Sequence, residues 1–376
     1  MIVHFSILFL ILLVSFFYEH KFNSNKIKVI ADGGLASDYK GSIIPWLIVF
    51  GYIALLAGMR THVNDSYVYK TTFEACSGTW NEIYNIIIGG EKDKGFNITA
   101  NLFKMFISKD YHMWFFSFAI TESLIFAIVL RKESVSFIDS CFYLFAGTLY
   151  LNYFSMMRQW LAVLIVFAAS KFIIQKKILL YILFCVLAAQ FHTSAYFMIA
   201  LYFLASGQPW KKKQIVISVA FVVGIILLDP LMGIVDSLTQ DTTYNYVVSI
   251  MQQGKGSSWI RIIIAGIPLL LTYIYRNNIQ KCGERYNFCV NIALINTLVI
   301  TLAAFTSGLY VVRLSTYLSV YNSILYPYIF HIIASEKDKR LLRILYYVIF
   351  GIFYFIQMNH GTMAWYYESD VIGVFE

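Results

Sequence analysis

The chain has 376 residues, 59% hydrophobic and only 13% charged, with mean hydropathy +0.66 and a formal net charge of +8. A soluble domain carries roughly twice that charge density, so the composition excludes an ordinary water-soluble enzyme. Apolar runs long enough to cross about 30 Å of hydrocarbon, roughly 17–25 residues each, recur from one end to the other.

In chain order these runs predict an all-α, polytopic integral membrane protein of about 12 transmembrane helices. The expected spans are 1–17, 43–59, 112–130, 135–154, 159–174, 178–191, 193–206, 214–229, 259–275, 287–306, 314–333 and 343–358. The first run has no basic start, and "FFYEHKFNS" after it has no small-residue cleavage pattern, so it reads as a span and not as a secretory signal. The whole chain, 1–376, reads as a single transmembrane domain.

Lysine and arginine set the orientation. The segments "KFNSNKIKVI" with Lys40, "RKES", "KFIIQKK", "WKKK", "RNNIQKCGER" and "EKDKRLLR" hold 19 of the 29 basic residues. Short loops rich in basic residues stay cytoplasmic, which places both termini outside. The positive charge is then explained by topology and does not imply nucleic-acid binding. Two long loops fall outside, 60–111 and 230–258. In the first, "WNEIYNIII" and "ITANLFKMFI" repeat apolar residues at helical spacing, which predicts interfacial helices.

The segment "ILLYILFCVLAAQFHTSAYFMIALYFL" lies between two basic loops but is short for two full crossings. It predicts a hairpin of short helices with Phe191, His192 and Thr193 at the bend. Only Cys76 among the five cysteines falls in an outer loop, so no disulfide framework is implied. The sequence holds no internal repeat, no zinc spacing and no phosphate-cradling glycine loop, and neither metal nor cofactor is expected.

Charged residues near span ends converge on the outer side: Arg60 and Asp65 after the second span, Arg158 opening the fifth, His192 at the bend, Arg313 opening the eleventh. Each alone has a structural explanation. Arginines at span ends snorkel, Asp65 in "VNDSYVY" suits a helix cap, and a lone histidine is commonly a satisfied buried one. Three arginines, a histidine and a carboxylate on one face together suggest an anionic ligand and a proton acceptor. Arginine forks match phosphate oxygens, and phosphates at the outer membrane edge belong mainly to lipids. Tyr67, Tyr69, Trp80, Tyr84, Tyr244 and Tyr246 offer faces for sugars, although an interfacial aromatic belt accounts for most of them. Glu122 lies deep in the third span, where an ionisable residue is a functional candidate; its role is left open.

The segments "VNDSYVYKTTFE", "EKDKGFNITANLF", "MMRQWLAVLIVFAASKFIIQKK", "LAAQFHTSAYFMIALYFL" and "RLSTYLSVY" resemble, in that order, the EpsG family over roughly residues 50–330. The most specific pieces are Met-Arg-Gln at a span start and the Phe191-His192-Thr193-Ser194-Ala195 segment. Family members often show Gly-x-Asp where this chain has Val63-Asn64-Asp65. These are bacterial membrane proteins of exopolysaccharide synthesis, related in role to Wzy-type O-antigen and capsule polymerases. The resemblance implies a metal-independent glycosyltransferase of the cytoplasmic membrane, acting at its outer, periplasmic or exterior face. Donor and acceptor would be undecaprenyl-diphosphate-linked glycans, with a chain-length regulator and a flippase as possible partners.

On that reading Arg158 and Arg313, with Arg60 as a third and Gln159 as a neutral donor, would bind the diphosphate. His192 would be the general base and Asp65 the second choice. Glu91, Tyr67 and Tyr244 would contact acceptor or sugar. The rivals are a lipid-linked oligosaccharide flippase or transporter, an O-antigen ligase, a dolichol-phosphate mannosyltransferase and, last, a structural scaffold.

Overall fold

The computed structural model describes residues 1–31, 42–90, 92–227, 256–279, 283–306, 308–332, 335–360 and 366–375. It is helical apart from a pair of two-residue strands, β1 (Glu368–Ser369) and β2 (Val374–Phe375), which are antiparallel. Among the described residues, four helices are long and apolar enough to cross a membrane: Tyr111–Glu133, Met157–Ile174, Gly283–Phe305 and Glu336–Asn359. Shorter apolar helices of 10–17 residues accompany them, at Ile2–Tyr18, Ile44–Met59, Phe137–Ala146, Ile178–Ala189, Thr193–Leu204 and Trp259–Ile274.

The expected span 135–154 is not one helix. It divides into α7 (Phe137–Ala146), a 3-10 turn at Leu149–Leu151 and α8 (Asn152–Ser155). The break falls where Gly147 ends the helix and Thr148 takes a left-handed φ of +60°, a conformation that cannot continue a right-handed helix. The expected span 314–333 likewise divides. Arg313 lies inside a helix at Gly308–Ser319, and a second helix follows at Asn322–Ile332.

The chain forms two compact units, Met1–Ile199 with Ala334–Glu376, and Ala200–Ile333. In the first, α1 (Ile2–Ala31), α2 (Ile44–Met59), α6 (Tyr111–Glu133), α7, α9 (Met157–Ala169), α11 (Ile178–Ala189) and the C-terminal helix Glu336–His360 surround an aromatic core. Trp46, Phe50, Phe126 and Trp160 are fully buried there. The 60–111 segment forms three short helices, α3 (Ser66–Ala75), α4 (Trp80–Ile88) and α5 (Lys94–Phe106); α3 through Phe73 and α5 through Phe96 and Phe103 pack against Trp114 of α6, and α4 packs on α5.

Polar clusters mark two ends of this unit. At one, His4 Nδ1 lies 2.8 Å from the Tyr150 hydroxyl, which lies 2.8 Å from that of Tyr354. Here the C-terminal segment folds over the turn after α2. Thr61 N–H donates to the Glu368 carbonyl at 2.8 Å, Tyr367 hydroxyl to the Leu56 carbonyl at 2.8 Å, and Ser369 hydroxyl to the Met59 carbonyl. At the other end Asp139 is almost fully enclosed. It accepts from Arg343 Nε at 3.2 Å, Arg343 Nη2 at 2.8 Å and the Tyr347 hydroxyl at 2.6 Å, while Tyr18 stacks edge-on against Phe137. The stretches His4–Tyr18 of α1 and Arg343–Tyr354 of the C-terminal helix separate these clusters by about 16–21 Å at 1.5 Å per residue. The basic segments around Arg131 and Lys337 share the Asp139 end; residues 1, 60 and 375 share the other.

The second unit is built on the long helix Gly283–Phe305, flanked by Lys212–Ile226 and Trp259–Ile274. Asn291 is its polar tie, accepting from Gln214 Nε2 at 3.0 Å and donating to the Ala205 and Gly207 carbonyls at 2.9 Å each. Buried amide bonds of this kind fix helix register, while Gln214 Oε1 stays buried without a partner.

Candidate active site

Arg158 is the second residue of α9. A cation there faces the positive end of the helix dipole, so an anion beside it is needed for stability. Asp93 supplies it: Oδ2 stands 3.1 Å from Arg158 Nη1. The other carboxylate oxygen, Oδ1, accepts the Thr193 backbone N–H at 3.1 Å. One carboxylate from the 60–111 segment therefore ties the start of α9 to the bend bearing His192, joining segments 65 and 100 residues away in the chain.

The local chain explains why Asp93 can do this. It caps α5 in a left-handed conformation, φ +55° and ψ +41°, which aspartate tolerates better than most residues, and its carbonyl accepts the Phe96 N–H at 3.0 Å. Gly95 then lets α5 approach the bend. A Cβ at this position would lie 2.7 Å from Gln190 Cβ and 2.9 Å from the Gln190 carbonyl. After α11 ends, residues 190–192 turn, and the chain continues as a 3-10 helix, Thr193–Ala200, and then α12 (Leu201–Leu204). His192 is half-buried, with Nδ1 2.6 Å from the Ser194 hydroxyl.

Two rings frame the Arg158 guanidinium, with its carbon 5.6 Å from the Tyr69 centroid and 5.5 Å from that of Phe96. Its side chain is 35% exposed while that of Asp93 is 10% exposed, and Arg158 Nε is buried without a hydrogen-bond partner. Burial raises the Tyr69 hydroxyl above its usual pKa, against the pull of the adjacent Arg158 charge. The result is a cation fixed by one carboxylate and two aromatic faces, with part of its fork reaching the surface.

The other sequence-derived candidates occupy different settings. Arg60 is fully buried. Its Nε donates to Ser66 Oγ at 2.9 Å, Nη1 to the Ala57 carbonyl and Nη2 to Met157 Sδ at 3.7 Å, and its guanidinium lies 4.2 Å from the Phe115 centroid. Arg60 thus reaches Met157, the neighbour of Arg158, but its fork is filled by protein. Asp65 stands at the N-cap of α3 with no capping hydrogen bond, half-buried. Gln159 is buried in the first turn of α9, and Tyr67 is 61% exposed. Arg313 belongs to the second unit, half-buried. Glu91 and Tyr244 lie outside the described residues, as does most of the 230–258 loop. Glu122 is fully buried, with neither carboxylate oxygen accepting a hydrogen bond, and is the strongest charged influence on Arg60.

Asp93 is the residue that sequence reasoning passed over. In "EKDKGF" it looks like one of several solvated loop charges. The available signal was an aspartate two residues before a glycine at a helix start, the pattern of a capped turn. Among the described residues no group of three His, Cys, Asp or Glu side chains could hold a metal ion.

Membrane-capable helices, with short helices and the Arg158–Asp93 ion pair in the same unit, are the features of a helical membrane protein. The sequence profile of the EpsG family matches residues 43–369, most of the chain. The protein belongs to the EpsG family, a family of Wzy-like polysaccharide polymerases and exopolysaccharide synthesis proteins. Neither the curated proteins nor the solved structures give a match.

Proposed function

We propose that the protein polymerises undecaprenyl-diphosphate-linked oligosaccharide repeat units at the outer face of the bacterial cytoplasmic membrane, as a metal-independent glycosyltransferase of O-antigen, capsule or exopolysaccharide synthesis. The observation that carries this reading is the Asp93 bridge, which gathers a surface-reaching arginine and the histidine-bearing bend into one place. Family membership supplies the substrate class. The basic segments at the opposite end of the first unit support the outward orientation.

The acceptor hydroxyl attacks the anomeric carbon of the donor glycan, the bond to the diphosphate oxygen breaks, and the lipid diphosphate leaves with that electron pair. Negative charge grows on the leaving group, and a fixed cation there lowers the barrier. Arg158 takes that role, with Gln159 beside it in the same helical turn. The hydroxyl proton passes to the His192 imidazole, whose Nδ1 contact with Ser194 fixes the ring. Asp65 and Tyr67, beyond the N-terminus and on the exposed side of α3, suit the acceptor sugar. Arg60 acts from within as a structural charge beneath the site.

The test is the polysaccharide profile of a strain lacking the protein, complemented with variants. Single repeat units in place of ladders, restored to ladders by the native gene but not by Arg158→Ala or His192→Ala, are expected; EDTA should not change the outcome in isolated membranes. A second reading, a proton-coupled flippase, is favoured by the enclosed, unpartnered Glu122. It predicts loss of all surface glycan in the deletion strain.

A further inference from the structure

We infer that Asp93 is the resident counter-ion of the anion site: its carboxylate occupies the Arg158 fork until the lipid diphosphate displaces it, and holds the His192 bend in register meanwhile. The inference rests on the diphosphate role proposed for Arg158. Asp93 is 10% exposed and Arg158 35% exposed, so the pair lies at the rim of the site and not in the sealed core. A multiply charged diphosphate is a stronger partner for a guanidinium than one carboxylate.

Asp93 engages only Nη1, through a single oxygen, and leaves the rest of the guanidinium, on a side chain that is 35% exposed, to other partners. The second oxygen is committed to Thr193 N–H, so Asp93 keeps its hold on the bend when Arg158 turns to the substrate. The left-handed backbone at residue 93 and the close approach at Gly95 keep the carboxylate from swinging away. Two functions therefore sit on one side chain: competition with the donor for Arg158, and alignment of the segment carrying His192.

The probe is undecaprenyl diphosphate, the carrier left after transfer, titrated against the purified full-length protein in detergent. Asp93→Asn keeps an oxygen for Thr193 and removes the charge. It should bind the carrier at least tenfold more tightly than native protein, because the like charge it removes lies a few ångströms from the ligand and, at the effective dielectric of a protein surface, repels it by more than a tenfold change requires. Asp93→Ser, a second neutral acceptor, should do the same, and Asp93→Glu should bind as native protein does. Arg158→Ala should bind at least tenfold more weakly, and Asp93→Asn combined with Arg158→Ala should match Arg158→Ala alone, because Asp93 acts through that guanidinium. If Arg158→Ala weakens binding while both neutral variants bind no more tightly than native protein, the counter-ion role is overturned. If Arg158→Ala binds as native protein does, the diphosphate reading itself falls.

Discussion

Arg60 and Arg158 show how far one residue type can diverge. Both stand at helix ends of the first unit, and both look like span-end arginines in the sequence. Arg60 has every nitrogen directed at protein and no exposed surface; Arg158 has one carboxylate, two aromatic faces and an open edge. Their variants should therefore fail differently. Arg60→Ala takes the charged donor from the Ser66 hydroxyl and the Ala57 carbonyl and leaves a cavity in the core, and should cost about 2–5 kcal/mol, the range for large-to-alanine core substitutions. A clear drop in melting temperature in detergent is the expected result; native-like melting of the variant would refute it. Arg158→Lys should fold normally and recover only short ladders on a polysaccharide gel, since an ammonium pairs with Asp93 but lacks the fork. Full-length ladders would show that the fork is irrelevant.

The loop at 60–111 shows the same logic over whole elements. Its helices were legible, because apolar residues at helical spacing in "WNEIYNIII" and "ITANLFKMFI" correspond to α4 and α5. Their anchoring was less legible. Lys104 Nζ closes the end of α3, donating to the carbonyls of Phe73 at 3.1 Å, Glu74 at 2.8 Å and Cys76 at 2.6 Å. Glu82 accepts the Ser77 N–H at 2.5 Å, the Ser77 hydroxyl, and Asn101 Nδ2 at 3.3 Å. Partial burial pushes the Glu82 carboxyl up, but the bonds from Ser77 and Asn101 and the Lys104 charge outweigh it, leaving it below the usual value. A carboxyl lowered on folding stabilises fully above its unfolded pKa of about 4.3 and loses that contribution as pH falls through the folded value. Hydrogen exchange in α4 should therefore accelerate below about pH 4 beyond the intrinsic trend. Glu82→Gln should start less protected at neutral pH and show a smaller acid step. Identical profiles would remove Glu82 from the account.

Gly95 carries the sharpest steric demand on that loop. Gly95→Ala forces its new methyl into Gln190, an overpacking typically worth about 1–3 kcal/mol. It should lower the melting temperature and shorten polymer together. A variant with native stability and native ladders would mean that α5 and the bend need not meet so closely. Sequence spacing cannot reveal such a contact, because Gly95 and Gln190 are far apart in the chain and both types are common in loops.

Over the whole molecule, the hydropathy pattern identified a helical membrane protein but not how its helices are interrupted. Gly147, Thr148 and Met156 divide what composition presents as continuous apolar chain. The backbone preferences of single residues decide these breaks, and a long apolar window averages them away. The C-terminal segment was equally hidden. "YYESD" follows the last apolar run, yet Tyr367 and Ser369 reach back to the carbonyls of Leu56 and Met59. Topology can be read from this contact. Cysteines introduced for Asn64 and Asp370 should react with an impermeant maleimide from the same side of the membrane, and one replacing Lys337 only from the other.

The central claim is that sugar transfer takes place where Arg158, Asp93 and the His192 bend converge. Its most direct test is reconstitution of the purified protein in vesicles with lipid-diphosphate-linked repeat units from the host, the products being resolved on a gel. Native protein should yield a ladder, and Arg158→Ala and His192→Ala only the starting unit. Ladders of equal length from both variants, or no ladder from active native protein that instead moves the units across the bilayer, would contradict it.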